Sequence, residues 1–286
     1  LWELFTREEP VDLPPRARWI DYSEDALVVH CSPISVAETL ATSMWGAFEG
    51  VIMTSATLSV GGDFSLIRDE LGLPEMVRRV SLPSPFDYAT QGCLRIPKMR
   101  SDPGNPDAHN EEIAQLIPEL LVEKKSGLVL FTSWRQMQFV IGELDASFRS
   151  LIICQGELTK SHMLDQHRQR IDSGTQSYLF GLASFAEGVD LPGDYCCQVI
   201  IAKIPFTVPD DPVGATLYEW IDAKGGNSFA QVMVPTAAPR LTHAAGRLLR
   251  TEQDSGIVTI LDSRLRSRRY GPNLIAALPP FKLLSP

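Results

Sequence analysis

Apolar positions along the chain fall into two kinds of pattern, and the two alternate. Short continuous runs rich in Val and Ile, bounded by turn residues, occupy 26–30, 50–56, 127–132, 150–154, 177–182, 198–202 and 256–261. Runs of this length and composition predict strands buried on both faces of a parallel sheet. Between them, apolar residues recur at helical spacing. Met137, Val140, Ile141 and Leu144 fall at i, i+3, i+4 and i+7, and Ser133 with Gln136 predicts a capping box at that helix start. The stretches 111–125 and 161–174 are further amphipathic helices, the second capped by Thr159. The segment 100–110, with its Pro, Gly, Asn and Asp, reads as an exposed loop. Alternation of this kind predicts an α/β domain built on a mostly parallel sheet flanked by helices.

One helical pattern carries more than packing. In "HAAGRLLR" (243–250), extended back to Leu241, the positions Leu241, Ala244, Ala245, Leu248 and Leu249 form an apolar stripe. His243, Arg247 and Arg250 fall at i, i+4 and i+7, which predicts the opposite helix face. Gly246 sits between, where no side chain blocks close approach. Two readings stand on this stretch alone: a solvated charged face, or a guanidinium pair aimed at an anion.

Composition narrows the class. The chain has 286 residues, 44% hydrophobic and 21% charged, which fits one large globular domain or two small ones. No apolar run approaches the roughly 18 residues of a membrane span, and the start "LWELFTREEP" has no secretory pattern. Beginning with Leu1 rather than Met, the sequence reads as part of a longer protein. The net charge of −9 is not the usual footprint of a nucleic-acid binder, which clusters Lys and Arg. Arg264, Arg266, Arg268 and Arg269 do cluster in "RLRSRRY", which reads as a solvated loop. The five cysteines show no metal-ligand spacing, and their odd, unpatterned count fits a reducing cytoplasm.

In open parallel sheets ligands bind at the carboxyl ends of the strands, so the residues following each strand hold the candidate chemistry. After 50–53 comes "TSATLS"; after 127–131 comes "TSWRQ", where Thr132 and Ser133 precede a helix start; after 150–154 comes "QGE". After 177–181 comes "LASFAEGVDLPG", placing Glu187 and Asp190 around Gly188.

Taken in order, these segments resemble the C-terminal part of the DinG/XPD-type DNA helicases of superfamily 2. "TSATL" is similar to that family's motif III, "SPFDYATQ" to the segment following it, "LVLFTSWRQM" to motif IV, "FGLASFAEGVDLPG" to motif V and "HAAGRLLR" to motif VI. The resemblance runs from about residue 25 to the end, and His243 stands where the family usually has Gln. It implies a RecA-like fold, with residues 1–60 leading into and including the motif III strand and 61–286 forming the second motor domain. No G-x-x-x-x-G-K followed by Ser or Thr occurs, and no DEAH-like tetrapeptide; "RDEL" at 68–71 lacks the Ala-His. In the family these belong to the first RecA-like domain, as do the cysteines of any iron–sulfur cluster.

The resemblance assigns roles. Arg247 and Arg250 would be arginine fingers reaching the γ-phosphate of ATP, whose Mg²⁺ the first domain holds. Glu187, Gly188, Asp190, His243 and Gly246 would lie on the nucleotide side. Ser55 and Thr57 would relay closure between the halves. Thr132, Ser133, Trp134, Gln155 and Ser184 would contact single-stranded DNA. It implies no metal site of the chain's own and no membrane partner. The alternative is a non-catalytic nucleic-acid or partner-binding domain of the same fold; paired arginines weigh against it, since simple binding needs no γ-phosphate sensor.

Overall fold

Every residue of Ser126–Phe131 (β4) is buried, which marks it as a central strand. In this computed structural model, residues 5–6, 13–23, 26–59, 61–122, 124–207 and 211–285 are described. The chain divides into two compact units, 1–81 with 206–236, and 82–205 with 237–286. That division falls elsewhere than the boundary read after residue 60, and it assigns the segment 206–236 to the first unit.

In the second unit, strands β3 (Gly92–Arg95), β4, β5 (Ile152–Cys154), β6 (Ser177–Leu182), β7 (Gln198–Ile201), β8 (Gly256–Ile260) and β9 (Lys282–Leu283) form one sheet. Their order is β5-β6-β4-β7-β8-β3-β9, and every ladder is parallel. Side chains of both parities are buried along β4, Leu128 and Leu130 on one face and Val129 and Phe131 on the other, so both faces are covered. Val129 and Phe131 share a core with Ile113, Ile117 and Leu121 of the helix Pro106–Leu121, and with Met137 and Val140 of the helix Trp134–Glu143. The helix Lys160–Asp172 packs against β5 and β6 and is capped as expected, Thr159 accepting from the His162 amide.

Three local readings change, and two strands are added. The helix Pro106–Leu121 starts inside the segment read as a loop: Asn105 is its N-cap and Pro106 occupies the first turn, where a missing N–H costs nothing. The Ser133 cap forms, but Gln136 turns its carboxamide oxygen to Thr132 and its nitrogen to Asn110 rather than closing the box on Ser133. Strands β3 and β9, four and two residues long, are too short to leave a pattern in the sequence. The arginine helix, Val234–Ala245, stops one residue before Gly246, so Arg247 and Arg250 lie in the turn beyond it.

In the first unit, Arg16–Tyr22 (β1) and Leu27–Pro33 (β2) form an antiparallel hairpin with Trp19 opposite His30. The run at 26–30 is therefore a strand, but not of the parallel sheet. The run at 50–56 is not a strand: Val51 is 47% exposed and Ile52 91%. A β-rich run becomes a strand only with a neighbour to take its backbone groups, and the described residues pair none with it.

Candidate functional site

The loop after β6 is anchored by what it buries. Phe185, Ala186 and Val189 point inward, leaving Ser184, Glu187, Gly188 and Asp190 exposed. Gly188 has φ +69°, a left-handed conformation that lets the chain turn between the two acids.

Four cations converge on this loop. Lys160 donates from Nζ to the Phe185 carbonyl at 2.9 Å and to the Glu187 carbonyl, with its ammonium 5.3 Å from the Phe185 ring centroid. Arg168 donates to the Asp190 carbonyl at 3.1 Å. Arg247 donates to the Val189 carbonyl at 3.1 Å, and Arg250 donates from Nε to the Asp190 carboxylate at 2.7 Å. Lys160 and Arg168 come from the first turn and the middle of one helix, a pairing with the loop that sequence spacing does not disclose.

The two arginines differ, contrary to the shared helix face read from the sequence. Arg247 is 9% exposed, and its Nε is buried without a hydrogen-bond partner. Burial, then the neighbouring Arg250 charge, pull its pKa below the ordinary guanidinium value, against the attraction of Glu187 and Asp190. Arg250 is exposed, its side chain meeting that of Asp190 at the surface. The reason is the helix end: past Ala245 the chain no longer advances by a helical turn per 3.6 residues, while Leu248 and Leu249 stay buried and fix the turn. Gly246 donates to the Thr242 carbonyl at 2.8 Å, and His243 is exposed on the last helical turn.

A second group gathers at the carboxyl ends of β4, β5 and β6. Thr132, Ser133 and Trp134 are exposed in sequence after β4. Gln155 accepts from the Leu182 amide at 2.7 Å, tying the end of β5 to the end of β6, just before Ser184. Trp134 is 42% exposed and lies over Gly156 (φ +96°), where a Cβ would stand 3.2 Å from the indole. Thr132, Ser133, Trp134, Gln155 and Ser184 thus lie at neighbouring strand ends. Ser55 and Thr57 belong to the other unit, where their hydroxyls are 3.1 Å apart.

The arginine run 264–269 is not a solvated loop. Arg264 forms an ion pair with the fully buried Asp262, Arg266 donates to the Ile96 carbonyl, and Arg268 reaches Asp102. Among the described residues no group of three or more His, Cys, Asp or Glu could hold a metal, and no helix is long and apolar enough to cross a membrane.

This seven-stranded parallel sheet flanked by helices has the RecA-like helicase-domain fold. Two solved XPD helicase structures share the fold at 18% sequence identity. One has a TM-score of 0.61, covering 94% of this chain and 48% of the other; the second, of an apo form, has 0.52 over 68% and 40%. The model of the helicase C-terminal domain family matches residues 117–281, and the chain belongs to that family. It is 38% identical over 290 residues to the protein named ATP-dependent DNA helicase DinG from Photobacterium profundum, covering 99% of this chain and 42% of the relative. It is also 36% identical over 296 residues to the DinG of Escherichia coli (strain K12), covering 100% and 41%. The match lies on the C-terminal part of DinG, so the chain spans about two-fifths of these relatives.

Proposed function

We propose that this chain is the second motor half of an ATP-dependent DNA helicase, acting with a first RecA-like half that supplies the P-loop and the Mg²⁺ ligands. One observation carries the reading: two loops far apart in sequence interlock through Arg250 on Asp190 and Arg247 on Val189. An arginine with a buried, unpartnered Nε beside a second, exposed arginine is chemically suited to a phosphoryl group.

ATP, when bound, supplies the phosphoryl group that is transferred. Asp190 holds the Arg250 guanidinium in place until the cleft closes, and Arg250 then stabilises the charge that develops on transfer, an effect of about 10³–10⁵ in rate. Arg247 sets the back of the site through Val189. Glu187, Gly188, Asp190, His243 and Gly246 face the nucleotide, Ser55 and Thr57 couple closure to the first half, and Thr132, Ser133, Trp134, Gln155 and Ser184 grip single-stranded DNA. The hydroxyls and the half-exposed indole suit backbone contact and base stacking respectively.

The test is turnover by parts. The purified chain alone is expected to hydrolyse no ATP above a vector-only control, and the protein carrying both halves to show DNA-stimulated hydrolysis. DNA-stimulated turnover by the chain alone would contradict the half-motor reading.

A further inference from the structure

Asp254 is an acid that the motifs leave unexplained. It is 4% exposed, yet its partners are backbone amides and a hydroxyl rather than a cation. Its Oδ2 accepts from the amides of Arg250 at 2.6 Å and Thr251 at 2.8 Å; its Oδ1 accepts from the Thr251 hydroxyl at 2.5 Å and the Gly193 amide at 2.9 Å. Gly193 follows directly on the loop that carries Asp190. One carboxylate therefore joins the turn that carries Arg250 to the segment that carries its ionic partner.

Only an ionised carboxylate offers enough lone pairs, and no donor, at a site where four donors converge. Burial opposes the charge, but the hydrogen bonds from Thr251, Arg250 and Gly193 outweigh it and hold the Asp254 pKa below the usual carboxylate range. The backbone on which Asp254 sits is fixed in turn. Gln91, at the end of "SPFDYATQ", accepts from the Asp87 amide at 2.8 Å and donates to the carbonyls of Glu252 at 2.7 Å and Asp254 at 3.1 Å. Gln91 immediately precedes β3, whose Gly92 pairs with Gly256 of β8, so the sheet itself sets the distance between Gln91 and Asp254.

We infer that Asp254, held by Gln91, is the positioning residue for Arg250, fixing the Arg250–Thr251 turn against Gly193 so that the guanidinium meets the loop at Asp190. The inference rests on the reading of Arg250 given above. Replacing Asp254 by Asn keeps the size but puts an NH₂ donor where a carboxylate oxygen accepts from two donors, displacing the turn.

The experiment is a mutant cycle on DNA-stimulated ATP turnover in the full-length protein, with thermal unfolding recorded for each variant. Asp254→Asn is expected to lower kcat about tenfold or more while the KM for ATP changes much less, and Gln91→Ala, which leaves the carboxylate intact, to lower kcat by about threefold. In an Arg250→Ala background neither change should lower turnover further, because both act through Arg250. A residue that only stabilises the fold would instead give additive losses tracking the unfolding temperature, and that result overturns the inference. Should Asp254→Asn not fold, the Gln91→Ala arm decides alone. If Arg250→Ala lowers turnover while Asp254→Asn and Gln91→Ala do not, this inference fails and the finger reading stands; if Arg250→Ala has no effect, both fail.

Discussion

Arg250 donates from Nε to the Asp190 carboxylate at 2.7 Å, joining positions 60 residues apart in the chain. The pair is exposed on both sides, 36% and 64%. Exposed pairs contribute only about 0.2–1 kcal/mol, so this contact orients a guanidinium more than it stabilises a fold. Asp190→Asn is accordingly expected to lower the unfolding free energy by no more than about 1 kcal/mol. Chemical denaturation of the chain checks this, and a loss of several kcal/mol would assign the pair a structural role.

Leu248 makes the contrast. It is fully buried, and its Cδ1 lies against Gly256 at the start of β8. Leu248→Ala opens a cavity and is expected to cost about 2–5 kcal/mol in denaturant unfolding. A cost under about 1 kcal/mol would mean that the turn collapses to fill the space.

His167 and His109 give the fold a pH dependence. Both are fully buried, His167 between the Ser177 hydroxyl at 2.9 Å and the Tyr195 carbonyl at 2.8 Å, His109 against the Ala202 carbonyl at 3.3 Å. Burial lowers both pKa values from the ordinary 6.5. Below that value the unfolded chain takes up protons that the folded chain refuses, so stability is full above about pH 6.5 and falls as the pH drops toward the folded values. Unfolding midpoints between pH 7 and 5 should decline, with a smaller slope in the His109→Ala/His167→Ala double variant. An unchanged slope in that variant would place the titration elsewhere.

Single-stranded DNA binding by the chain alone should be weak and salt-sensitive. The net charge is −9, and three arginines of the 264–269 cluster are engaged with Asp262, Ile96 and Asp102. An acidic balance opposes phosphate contacts, and the counterion release on which such contacts depend makes them salt-sensitive. Fluorescence anisotropy against salt measures this directly; tight binding insensitive to salt would favour a dedicated binding module.

What could be read from sequence follows from the range of the interactions involved. The Thr159 and Ser133 caps and the buried stripe of Leu241, Ala244, Ala245, Leu248 and Leu249 depend on neighbours within a few residues, and all formed. Strands β4 to β8 announced themselves because burial on both faces demands continuous apolar runs. The run at 50–56 has the same composition, but a ladder needs a partner that no local pattern supplies. Gly246 and the buried apolar pair after it end the helix while keeping helical spacing, so periodicity alone placed Arg247 and Arg250 on one face. Lys160 and Arg168 act on the carbonyls of the loop after β6, Gln91 reaches the Glu252 and Asp254 carbonyls, and Asp254 reaches the Gly193 amide; these partners are distant in sequence, and backbone groups carry no sequence signal.

The central claim is that Arg250 acts on the transferring phosphoryl group, and steady-state ATP turnover of Arg250→Ala in the full-length protein tests it most directly. DNA-stimulated kcat should fall by about 10³-fold or more, with DNA binding and the unfolding midpoint nearly unchanged, and Arg250→Lys should restore little because an ammonium lacks the planar fork. Near-normal DNA-stimulated turnover in Arg250→Ala would contradict the claim and leave Arg250 as a solvated charge paired with Asp190.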